Sequence, residues 1–118
     1  MFSRAGLNFQ VARAFGAILI ITGLSGLVLP AGSGPMSQAV PYDLFHIAFG
    51  SLGLALALSG RTPWMRAFNA GFGLIDLYQL AASFLHWFPE RWFLWTRADD
   101  ALHLVIGLAL VAVAFLGA

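Results

Sequence analysis

Neither cysteine nor lysine occurs in this chain, and each absence removes a class of chemistry. Without cysteine there is no disulfide framework, no thiolate nucleophile and no thiolate metal site. Without lysine there is no Schiff base and no phosphate-binding loop completed by a lysine. Charge of either sign is scarce: charged residues are 9% of the total and the formal net charge is +1, which predicts no nucleic-acid partner. Enzyme motifs are missing as well. There is no Gly-x-Ser-x-Gly, no His-Glu-x-x-His and only a single glutamate, Glu90, so an enzyme is the weaker expectation.

What fills the space is apolar. Hydrophobic residues are 60% of the 118 positions, with mean hydropathy +0.85, well above the soluble norm. A membrane crossing takes about 20 mostly apolar residues, so four crossings would consume nearly the whole chain and leave no extramembrane domain. The expected fold class is all-α: an integral membrane four-helix bundle in one domain, residues 1–118, with spans at about 11–29, 42–59, 64–87 and 98–116.

The first span closes at Pro30 and the small-residue stretch to Pro35. Arg4 and Arg13 before an apolar run followed by small residues also match a secretory leader. A retained helix is the expectation, because the segment is echoed later in the chain. The second span is entered through Pro41 and left through Gly60, residues suited to a helix start and a helix end. The short link to Thr62 and Pro63 makes spans two and three antiparallel neighbours. Span three is the most polar, carrying Asn69, Asp76, Gln79, Ser83 and His86 within about a third of the helix circumference. Lipid cannot satisfy such a stripe, so it should face protein or a water-filled cavity. The segment Phe88–Trp95 mixes tryptophan and phenylalanine with charge and reads as interfacial. Thr96 and Asp99 are spaced as a capping box for span four.

Arginines set the expected orientation. Arg4, Arg13, Arg61 and Arg66 flank one side, against Arg91 and Arg97 on the other, which puts both termini in the cytoplasm and the acidic helix ends outside.

Two segments share the pattern Asp-x-x-His-(Ile/Leu)-x-x-Gly: Asp43 to Gly50, and Asp100 to Gly107. They are offset by 57 positions, 103 minus 46, and the same offset sets Gly16 against Gly73. Two duplicated transmembrane hairpins are therefore expected. Both would enter the membrane in the same direction, about a pseudo-two-fold axis along the bilayer normal, with His46 and His103 at matching depth. Small residues mark packed faces in membranes, here Gly50, Gly53 and Ala57 on span two and Gly16, Gly23 and Gly26 on span one.

The candidate polar site is Asp43, His46, Asp100, His103, Asp76 and Gln79. For Asp43 and Asp100 the plain reading is stabilisation of a helix start, worth about 0.3–1 kcal/mol each. For His46 and His103 it is interhelical hydrogen bonding that holds the two copies together. The sharper reading makes His46 and His103 ligands of a divalent metal, or axial ligands of a b-type haem oriented by Asp43 and Asp100. No cofactor is predicted; metal or haem is the alternative. Asp76 lies about ten positions from the outer end of its span, near the expected mid-bilayer, where a charge is costly. It should be protonated or paired, with Asn69, Gln79 or another helix, and it motivates a further alternative of proton or small-solute passage along the stripe.

The run Ala98 to Leu104, together with Leu44-Phe45-His46-Ile47 and Gly50, resembles a family of bacterial four-helix membrane proteins known only as a domain of unknown function. The likeness covers nearly the whole chain and implies the bacterial inner membrane, with no catalytic residue attached. That family is expected to carry Asn where Asp43 and Asp100 stand. A looser similarity, in architecture alone, is to DoxX-type four-helix proteins, some linked to quinol oxidation. The expected function is that of a structural or accessory membrane subunit. Its partners would be the lipid bilayer and a second copy or a membrane-protein complex.

Overall fold

The computed structural model describes residues 4–117, with side chains from Gly6 onward; the side chain of Arg4, used for the orientation, lies outside them. The chain is all-helical, in the order α1 (Arg4–Val28), α2 (Val40–Leu58), α3 (Thr62–Leu85), α4 (Glu90–Phe93) and α5 (Arg97–Leu116). Among the described residues, three stretches are long and apolar enough to cross a membrane: Gly6–Val28, Val40–Leu58 and Arg97–Leu116. α3, with 24 residues, has the length for about 36 Å of helix. It carries Arg66, Asn69, Asp76 and Gln79; Asn69, Asp76 and Gln79 are buried and Arg66 is half-buried.

Several boundaries differ from the sequence expectation, each for a physical reason. α1 begins at Arg4 rather than Val11 because its first turns find protein partners that hydropathy does not register: Asn8 is fully buried and donates from Nδ2 to the Val113 carbonyl at 3.4 Å. α3 ends at Leu85, so His86 is not on the polar stripe. It stands in the left-handed region (φ 58°) as the C-cap, with an exposed side chain 3.7 Å from Glu90. Pro89, three residues on, explains the stop. The interfacial segment Phe88–Trp95 contains one helical turn, α4, closed by Leu94 at φ 51°. At the start of α5, Thr96 and Asp99 form the capping box in both directions.

α1 packs along α2, and α3 along α5. In lipid, packing cannot draw on the hydrophobic effect between helices, so close backbone approach and interhelical hydrogen bonds must carry it. Glycines make that approach. A Cβ on Gly16 would lie 2.8 Å from the Gly50 carbonyl oxygen, and one on Gly50 2.6 Å from that of Gly16. The other pair repeats this contact: a Cβ on Gly73 would meet the Gly107 oxygen at 2.9 Å, and one on Gly107 the Gly73 oxygen at 3.0 Å. Gly53 admits the Phe68 ring between α2 and α3. Phe15, Phe45, Phe49, Phe68 and Phe72 form a chain of ring contacts with centroids 4.7–5.8 Å apart, filling the centre between the two pairs.

The buried faces of α2 and α5 correspond position by position. α2 buries Tyr42, Asp43, His46, Gly50, Gly53 and Ala57; α5 buries Asp99, Asp100, His103, Gly107, Leu110 and Ala114. Each residue of the second set is the first plus 57.

Candidate functional site

One turn of helix explains how α2 and α5 aim their polar residues. Positions four apart are rotated by about 40° from one another, so Tyr42 stacks over His46 and Asp99 over His103 on the inward face. The Tyr42 ring lies 4.2 Å from that of His46 and 6.1 Å from that of His103. Its hydroxyl is 3.0 Å from Asp99 Oδ1 and 2.9 Å from His103 Nε2. A single hydroxyl of α2 thus touches two residues of α5.

Asp99 is fully buried, and its carboxylate is the hub of this end of the molecule. Oδ2 accepts from the Ser37 amide at 2.8 Å and from the Thr96 amide at 2.9 Å. Because these donors converge on a carboxylate, the Tyr42 hydroxyl hydrogen also goes to it. His103 Nε2 is then the donor to Tyr42 Oη, which leaves His103 Nδ1 a bare acceptor in the neutral ring, a tautomer inferred from this network. Two further bonds tie the loops together. Ser37 Oγ donates to the Phe93 carbonyl at 2.6 Å, and Thr96 Oγ1 to the Pro35 carbonyl at 2.7 Å.

His46 and His103 are each only 5% exposed and both border a central cavity of about 160 Å³. Asp76 borders it too. Gln79 does not, but its Nε2 donates to Asp76 Oδ1 at 3.2 Å while its Oε1 accepts from Trp95 Nε1 at 3.0 Å. The structure therefore brings together His46, His103 and Asp76, with Gln79 behind Asp76.

Asp43 and Asp100 stand apart from this group. Asp43 is buried beneath Gly26, where a Cβ would collide with its carboxylate, and it lines a separate recess with Ser25, Ser37 and Gln38. Asp100 borders a concavity on the far side, with Ser83, His86, Glu90 and Arg97. The sequence motif paired each His with the Asp three positions before it. The residue four before it is the one that shares its site, because three positions rotate by about 60° the other way. Asp43 Oδ2, Asp100 Oδ1 and Nδ1 of both His46 and His103 are buried without a hydrogen-bond partner among the described residues.

Asn69 belongs to a second polar cluster. Its Nδ2 donates to Asn8 Oδ1 at 3.0 Å and to the Asn8 carbonyl at 3.2 Å, while Arg66 Nη1 donates to the Ala114 carbonyl at 3.0 Å. Between the two clusters stands Phe72, buried, so the polar stripe of α3 is interrupted rather than continuous. Half-buried Ser83 lies beyond it.

Tyr42, Ser37 and Asn8 were not legible as site residues from the motif alone. For Tyr42 a signal was present: it is four before His46 and 57 before Asp99, so the repeat assigns it the place that Asp99 holds beside His103. Ser37 and Asn8 gave none, since the partners that place them in the site lie 56 and 62 positions away for Ser37 and 61 for Asn8. Among the described residues, no group of three or more His, Asp or Glu is arranged to hold a metal ion. No protein-family model, no curated protein and no solved structure matches the chain.

Proposed function

We propose that this chain is a four-span bacterial inner-membrane protein, built from two duplicated hairpins with both termini cytoplasmic, that works as a structural or accessory subunit. The observation that carries the reading is the Tyr42 hydroxyl shared by Asp99 and His103. It acts as a clamp between the α1–α2 pair and the α3–α5 pair. The imidazoles take part through this tyrosine rather than by bonding to each other. Around it the Ser37, Thr96 and Phe93 bonds tie the two outer loops to one another, so most of the buried polar capacity is spent inside the chain. The outer helical faces, rich in exposed leucine, valine and phenylalanine, are left for lipid, a second copy or a larger membrane complex.

The duplication draws support from the matching Gly16/Gly50 and Gly73/Gly107 contacts and from the 57-residue register between the buried faces of α2 and α5. Burial of its polar residues supports α3 as the fourth crossing. The test of the clamp is Tyr42→Phe in the purified protein. A lowered melting temperature is expected, and an unchanged one would remove the clamp. Topology is tested by the absence of native cysteine: Ser33→Cys and Trp92→Cys should react with a membrane-impermeant maleimide in intact cells, and Gly60→Cys should not. Any other pattern would overturn the four-span orientation.

Metal or haem at His46 and His103 is the second reading, motivated by their unpartnered Nδ1 atoms. A metal bound through His103 Nε2 would have to displace Tyr42. An absorption spectrum and metal analysis of wild type, His46→Ala and His103→Ala decide it. Proton or solute passage along α3 predicts altered liposome flux in Asp76→Asn.

A further inference from the structure

The central cavity adjoins a second space. A vestibule of about 240 Å³ sits where α1 ends and the loop to α2 begins, lined by Ser25, Ser33, Ser37, Gln38 and Asp43. Thr22 and Met36 line both the vestibule and the cavity. Met36 is half-buried, and its side chain is unbranched and flexible, so one of the two residues common to both spaces is a group that moves easily. The loop beside it contains Gly32 (φ 79°) and Gly34, both with open space around them.

The two spaces share an electrostatic character. Asp43 lines the outer one and Asp76 the inner one, and no arginine lines either. The inner cavity is also lined by Thr22, by the rings of Phe15, Tyr42 and Phe72, and by both imidazoles. A carboxylate with aromatic rings around it is a lining that receives an ammonium ion: hydrogen bonds to the carboxylate, and attraction to the rings. The volume equals that of about five waters in the liquid, enough for a guest of a few heavy atoms.

We propose that the central cavity binds a compact primary ammonium ion, of the size of methylammonium, which reaches Asp76 from the vestibule past Met36. Asp76 supplies the countercharge, Phe15 and Phe72 supply aromatic surface, and the Thr22 hydroxyl accepts a hydrogen bond. Met36 sets how fast the guest exchanges. The site stands independently of the clamp, because Tyr42→Phe reads the clamp through melting temperature whereas wild-type titration reads the site.

The experiment is a titration of the purified full chain in nanodiscs with methylammonium, followed by saturation-transfer NMR, with acetate as the counter-probe. Saturable binding of methylammonium and none of acetate is expected. Asp76→Asn should weaken binding by about tenfold or more, because a charge-assisted bond becomes a neutral one. Thr22→Leu, which fills the cavity without touching Asp76, should abolish it and covers the case in which Asp76→Asn does not fold. Met36→Ala should speed exchange while affinity stays within about twofold. Absence of saturable methylammonium binding to folded wild type, equal binding of acetate, or undiminished binding in a folded Asp76→Asn would each overturn the site. Unchanged exchange in Met36→Ala would overturn the route.

Discussion

The α1–α2 pair and the α3–α5 pair share a framework and differ in equipment. Both cross at facing glycines, and both carry an Asp and a His at the same register on the second helix. What differs is the polar dressing around that frame. Leu19, Thr22 and Tyr42 in the first pair stand where Asp76, Gln79 and Asp99 stand in the second, 57 positions on. Met36, beside the vestibule, stands where Phe93 does, and Phe93 is enclosed by Tyr42, Phe45 and Trp95 at 5.1–5.8 Å. One half keeps an opening and the other fills it with rings. The Tyr42 and Asp99 substitution has a direct rationale: two tyrosines would leave no strong acceptor, and two carboxylates would repel, whereas one of each makes a hydrogen bond. Complementarity between the halves requires that they not be identical.

The largest effect should come from breaking what they share. Gly16→Leu and Gly73→Leu each drive a side chain into the backbone of the facing helix, and each should cost about 3 kcal/mol or more, or abolish folding. Thermal unfolding in detergent measures this, and a large loss in one variant with none in the other would break the equivalence of the two crossings. Next comes the difference at the clamp. Tyr42→Phe should cost about 1–2 kcal/mol, with the swapped pair Tyr42→Asp plus Asp99→Tyr recovering part of the loss that either single change causes. A double-mutant cycle with no coupling would show that the two residues are not partners.

A smaller contrast lies at the helix starts. α5 begins with a full capping box, whereas α2 begins at Ala39 with no side-chain cap. Thr96→Ala should cost about 1 kcal/mol or more, since Thr96 also holds the Pro35 carbonyl, while Ala39→Ser should gain a few tenths. Equal and opposite shifts in melting temperature would mean that the Pro35 bond contributes nothing. The smallest effect is expected at Leu94, whose φ of 51° is costly for a leucine and whose side chain is exposed; Leu94→Gly should gain about 1 kcal/mol at most.

Helical class, the three apolar runs, the capping box and the packed glycine faces could be read from local pattern, because each depends on residues within a few turns of one another. The helix ends were less legible. α1 reaches back to Arg4 because Asn8 meets α5 and Asn69, a contact spanning more than half the chain, and α3 stops at Leu85 because His86 takes the left-handed cap. The motif directed attention to His46 and His103, which both border the central cavity, and to the Asp three positions before each, which borders a different recess. Asp43 and Asp100 turn away into separate recesses, and Asp99, expected only as a cap, proved to be the hub.

By itself the sequence determined what kind of solvent the helices can bear and where they must begin turning, since apolar runs, prolines and caps act over short distances. It also determined that two segments 57 residues apart carry the same spacing of Asp, His and Gly. Only the tertiary structure decided which side chains meet. A shift of one position along a helix turns a residue through about 100°, and that angle, together with the neighbour it then faces, made Tyr42 and Asp99 the joint between the halves and left Asp76 beside an open cavity.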